Sequence, residues 1–280
     1  IVDQYILWDQ LSEPEEAQMM SGLDNTPARI TQGDRLAWLA QFDGICLSSD
    51  AYIPFRDNIQ SRTCPVVTVS LIVINVLVFL YELSLGADLI PFFYKYGLVP
   101  TNVFQWPASE QSLSLIILPY FTSMFLHGGW LHLIGNMWYL WIFGDNVEDR
   151  LRHSRFLLFY LLAGLSAGGI HSAIDHNVTV PTVGASGAIA GVLGAYLLLY
   201  PFARILTLIP FFFFWQIIEI PAIIVLGLWF MMQFLSGAST LAISGSSGGG
   251  VAWWAHIGGF IVGMLLLRLI PRRADKRPST

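Results

Sequence analysis

The residues best suited to chemistry are Gly184-Ala185-Ser186-Gly187, at the start of an apolar run with no lysine or arginine nearby. A serine between small residues, where a loop turns into a helix, is an exposed nucleophile position. Gly184, Ala185 and Gly187 let a substrate backbone approach it. The first turn of the helix also directs unpaired N–H groups at developing negative charge. Two further polar sites interrupt apolar runs: His132 with Asn136 one turn on, and His256. His256 is a candidate base, and His132 and Asn136 are candidate oxyanion donors. Ionisable groups are costly inside a membrane and mark function by default. The set implies a hydrolase acting within a bilayer.

Composition supplies the membrane. Of 280 residues, 55% are hydrophobic and 12% charged, with a mean hydropathy of +0.60. Soluble domains average about 25% charged residues, so a multi-span membrane protein is expected. The net charge of −5 averages two unlike regions: residues 1–51 carry −7 and residues 52–280 carry +2. Nothing in this balance points to nucleic acid. Cys46 and Cys64 have no metal-ligand spacing, nor has any pair among His127, His171 and His176, which read as interfacial or loop residues. No metal or cofactor is called for.

Three segments are expected. Residues 1–51 form an acidic cytoplasmic extension whose pattern specifies no packed fold beyond a short amphipathic stretch at Asp34–Phe42; they begin at Ile1, as a fragment or an upstream read-through would. Residues 52–272 form the membrane domain, and 273–280 a basic cytoplasmic tail. Apolar runs at about 66–85, 128–143, 156–174, 186–200, 217–236 and 251–270 predict six spans in an all-α bundle. The connection 86–127 is long, with its own apolar stretch, and reads as a partly embedded first outer loop. Residues 205–216 read as an interfacial lead-in to the fifth span, and the Ser/Gly-rich 236–250 as a loop suited to a mobile cover. Of twelve basic residues after position 51, only Lys95 falls on the outer side if both termini are cytoplasmic. This suits a plasma or inner membrane.

Depth brings the polar residues together. At about 1.5 Å per residue, His132 lies roughly 18 Å from Gly144, Ser186 roughly 21 Å from Tyr200 and His256 roughly 18 Å from Arg268. The span beginning at Ser186 is short, so Asn177–Val183 must dip into the protein to meet it. Gly187, Gly191 and Gly194 on one span, and Gly259 and Gly263 on another, permit close helix packing. With Asp145, Glu148, Asp175 and Glu219 at other depths, the expected arrangement is a Ser–His dyad without a carboxylate.

Glycine and serine are ordinary packing residues in membrane helices, so the motif alone carries little. Its conjunction with depth and orientation carries more. The motifs His127-Gly-Gly-Trp-Leu-His132 with Asn136, Val147-Glu148-Asp149-Arg150, Gly184-Ala185-Ser186-Gly187 and Ala255-His256-Ile257-Gly258-Gly259 resemble those of the rhomboid family of intramembrane serine proteases. The resemblance covers roughly 52–272. It implies a six-helix bundle that cleaves transmembrane segments of membrane proteins near the outer face, with Ser186 as nucleophile and His256 as base, then acid. By the same resemblance His132, Asn136 and the Ser186 N–H form the oxyanion hole, and the fifth span with its following loop gates entry. The implied partners are transmembrane protein substrates and the lipid bilayer. The alternative is a rhomboid-like protein that binds membrane helices without cutting them, which has no need of both Ser186 and His256. One departure is Ala190, where some members carry an aromatic that stacks on the histidine; here packing against Gly187 and Gly191 is the expected support.

Overall fold

The computed structural model describes residues 53–105, 113–211, 214–243 and 251–271. The expected extension 1–51, the tail 273–280 and the segment 244–250 lie outside the described residues. Among the described residues the helices are α1 (Val66–Ser84), α2 (Leu89–Tyr96), α3 (Pro100–Gln105), α4 (Leu113–Thr122), α5 (Trp130–Leu151), α6 (His153–Ile174), α7 (Ser186–Leu199), α8 (Ala222–Ile243) and α9 (Trp253–Leu269).

Helices α1, α6 and α8 are each long and apolar enough to cross a membrane. Helices α4 and α5 pass the same test together, bent by 78° at the break between them. Helices α7 and α9 are apolar but shorter. Of these, α7 is the centre: every residue from Gly187 to Tyr196 is buried, which only a helix surrounded by α5, α6, α8 and α9 can achieve.

The all-α expectation is corrected. Strands β1 (Ile53–Asp57), β2 (Arg204–Phe211) and β3 (Phe214–Pro221) form an antiparallel sheet in the order β1-β2-β3. The stretch 204–221, read as a lead-in and the start of span five, is a hairpin. Its β-branched residues Ile205, Thr207, Ile209, Ile217, Ile218 and Ile220 favour extended backbone. A short apolar run cannot be told from helix by periodicity alone. The sheet is tied to the bundle by the Trp138 indole donating to Pro54 O at 2.6 Å, Asn146 Nδ2 donating to Asp57 Oδ2 at 2.9 Å, and the Tyr196 hydroxyl donating to the same carboxylate.

Two helices run further than expected. Helix α8 continues through Ser236 to Ile243, into the stretch read as loop. Helix α5 passes beyond residue 143, where the expected span ended, through Gly144-Asp145-Asn146, and stops only where Arg152 adopts φ 70°. Tertiary contacts explain the second case. Glu148, fully buried on α5, accepts hydrogen bonds from Val67 N at 2.9 Å, Thr68 N at 2.8 Å and Thr68 Oγ1 at 2.7 Å. The residue at the α1 N-cap is Pro65, which has no capping side chain, so a carboxylate some eighty residues away caps α1 instead.

The described residues of the connection 86–127 include the helices α2, α3 and α4. Leu98 and Thr182 form a β-bridge, and Thr101 donates to Val178 O from N at 3.1 Å and from Oγ1 at 2.7 Å. These bonds draw 178–182 inward, as the shortness of α7 required, and lead the chain to Gly184.

Candidate active site

Gly184 N donates to Ser123 O at 2.8 Å and the residue adopts φ +130°, a conformation that favours glycine. A Cβ there would lie 2.7 Å from His132 Nε2. The missing side chain therefore lets the His132 ring sit against the backbone that leads into Ser186. Ala185 is fully buried at the N-cap and offers no side-chain cap to the first turn of α7. The N–H groups beside Ser186 thus keep their outward polarity.

Helices α7 and α9 share the most extensive helix–helix interface among the described elements. Added Cβ atoms at Gly259 and Gly263 would each lie 2.1 Å from a carbonyl oxygen, those of Gly187 and Gly191. At Gly194 the Cβ would lie 2.2 Å from Phe260 O. Only glycine permits backbones this close. The result is a hydrogen bond of 2.7 Å between Ser186 Oγ and His256 Nε2, across 70 residues of sequence.

With the serine hydroxyl donating to Nε2, the imidazole proton resides on Nδ1, and it is donated to Gln233 Oε1 at 2.7 Å. Gln233 and His256 are both buried. Trp229, one turn before Gln233 on α8, lies with its ring 6.0 Å from the His256 ring at 34°. Trp253 approaches edge-on at 6.3 Å. Side chains of α8 and Trp253 therefore flank the His256 ring. Ala190 is fully buried.

His132 is buried and lines a cavity with Ser186, Gly184, Gly187, Ala252 and His256. The cavity measures ≈ 40 Å³, against the roughly 10–15 Å³ that one water needs. Asn136 does not line this cavity; its Nδ2 donates to His132 O at 2.9 Å, one turn back.

Two residues near the site escaped the sequence reading. Gln233 is one. The other is Glu82, buried near the end of α1, whose carboxylate accepts the His127 N–H at 3.2 and 3.3 Å. His127 lies in the loop before α5, as expected, and is buried there with its ring 5.1 Å from that of His132. A carboxylate this late in an apolar helix was the available signal. His171 Nε2 shares a hydrogen bond of 3.0 Å with Thr182 Oγ1, and its Nδ1 lies 3.2 Å from Asp175 Oδ2. No cluster of three metal-ligating side chains occurs among the described residues.

Long apolar helices around a buried polar cluster define a multi-pass membrane protein. The Rhomboid domain model matches residues 116–273, more than half the chain, and the chain belongs to the rhomboid family. It is 34% identical over 148 residues to RHOMBOID-like protein 6, mitochondrial, of Arabidopsis thaliana, covering 52% of this chain and 41% of that one. It is 30% identical over 162 residues to Rhomboid protein 1, mitochondrial, of Saccharomyces cerevisiae (55% and 42%). To the Rhomboid protease GluP of Bacillus subtilis it is 46% identical over 76 residues (27% and 14%). The chain thus spans about half the length, or less, of the curated relatives it matches.

Proposed function

We propose that this chain is an intramembrane serine endopeptidase that cleaves transmembrane segments of membrane proteins near the outer face of the bilayer. The observation that carries this reading is the 2.7 Å Ser186–His256 hydrogen bond beside a water-sized cavity. Family membership and relatives named as proteases support it. In this reading the chain crosses the membrane six times, α4 and α5 contributing one bent crossing, with both termini cytoplasmic. The basic residues at the helix ends support that orientation.

The chemistry follows from the donors and acceptors present. Ser186 Oγ attacks the scissile carbonyl carbon while its proton passes to His256 Nε2, so a C–O bond forms and the carbonyl π pair moves onto oxygen. That oxyanion is received by the Ser186 N–H and His132, which line the cavity; Asn136 holds His132 O from outside it and reaches the oxyanion only through its second amide proton. Collapse re-forms the carbonyl and breaks the C–N bond, and the leaving amine takes the proton from His256. A water in the cavity then loses a proton to His256 and adds to the acyl ester. Ser186 departs with that proton, releasing the new carboxyl end.

Reconstituted with a single-span substrate, the wild type is expected to cleave and Ser186→Ala to be inert while melting at the same temperature. Turnover by Ser186→Ala at the wild-type rate would overturn the reading.

A further inference from the structure

Resting on that reading, we propose that Gln233 is a positioning residue that selects the productive tautomer of His256. A serine can pass its proton to Nε2 only when Nε2 is the unprotonated nitrogen, so Nδ1 must carry the hydrogen. In water the two tautomers exchange freely. In this apolar interior Nδ1–H requires an acceptor, and Gln233 Oε1 stands 2.7 Å from it. The acceptor is itself buried, on a helix otherwise apolar along that stretch. Trp229 lies on the same face one turn earlier and flanks the imidazole ring. One helix therefore fixes both the plane of the ring and the nitrogen that bears its proton, and the site is a relay of three side chains from α7, α9 and α8.

Gln233 touches neither Ser186 nor the cavity, so its loss acts on the chemical step and spares substrate binding. Gln233→Met keeps the length and shape of the side chain and removes the amide acceptor. Its kcat is expected to fall about 10–100-fold with KM unchanged. The fall stays short of the roughly 10⁴-fold that a partner enforcing the wrong tautomer costs a serine triad, because methionine enforces neither. Gln233→Glu restores an acceptor at the same reach and is expected to recover kcat to within about tenfold of wild type. A merely structural residue would show neither the selective loss in kcat nor this rescue. Where Gln233→Met does not fold, Gln233→Asn serves, since it draws the amide back by one methylene and loses kcat in the same way. A wild-type kcat in Gln233→Met, in an assay where Ser186→Ala is inert, overturns the role of Gln233 alone. Turnover by Ser186→Ala overturns the dyad and this inference with it.

Discussion

Replacing Gly259 with alanine tests the close packing on which the site depends. The new Cβ would stand 2.1 Å from Gly187 O and 3.0 Å from Gly187 C. An ordinary carbon–oxygen contact is about 3.3–3.6 Å, so α7 and α9 must part by about 1.2–1.5 Å. The obstructing atoms are backbone and have no rotamer to yield. Overpacking of this kind costs about 1–3 kcal/mol, offset by about 0.5–1 kcal/mol for alanine over glycine within a helix. A net destabilisation of about 1 kcal/mol is expected. The effect on chemistry is larger. A Ser186–His256 distance of 2.7 Å extended by the same displacement reaches about 3.9 Å, beyond the ~3.2 Å limit for proton transfer. A misplacement of about 1 Å costs on the order of 10²-fold in rate. The matched control is Gly169→Ala on α6, where nothing lies within 4 Å of the added carbon; it should melt no lower than wild type and turn over normally. Thermal unfolding in detergent and turnover of a membrane substrate, measured on the same preparations, separate the two effects. Wild-type melting and turnover in Gly259→Ala would refute the argument.

Three other outcomes are expected. Ser186→Ala combined with His256→Ala should be hardly slower than either alone, because residues acting as a unit are not additive; multiplicative losses in single-turnover kinetics would separate them. Asn136→Ala should lower turnover by about 10²–10³-fold if its amide reaches the oxyanion, and full activity would leave it as a bond within α5. Glu148→Ala removes three hydrogen bonds to the start of α1. Each charge-assisted bond is worth about 1.5–3 kcal/mol, so a marked fall in melting temperature is expected, and an unchanged melt would show that the cap is dispensable.

Depth was legible in the sequence and azimuth was not. Counting residues brought Ser186 and His256 to one level, and the glycines of α7 and α9 indicated that they could touch. In the structure Ser186 Oγ and His256 Nε2 lie 2.7 Å apart. The hairpin was hidden because Ile217, Ile218 and Ile220 run into the apolar stretch after Pro221, so a strand end was counted as the start of the fifth span. That error had a second effect. Counted from residue 217, Gln233 sits roughly 24 Å along the fifth span; counted from Ala222, where α8 begins, it sits roughly 17 Å along, level with His256. A five-residue shift in one boundary removed a member of the site from view. Glu82 was overlooked for a different reason. It lies at the far end of α1, and only the fold of 123–130 brings His127 back against it.

The order of the helices along the chain governs when the site comes into being. Helices α7 and α9 are neighbours in space but are separated by the hairpin and α8 in sequence. The 70 residues between Ser186 and His256 take roughly 4–14 s to synthesise at about 5–20 residues per second. On the proposed reading the nucleophile waits for its base through that interval, in which the helix bearing Gln233 is also made. The nascent chain is therefore, on that reading, inert until α9 is made. On the same reading α9, the last helix among the described residues, both closes the bundle and brings the base to the serine.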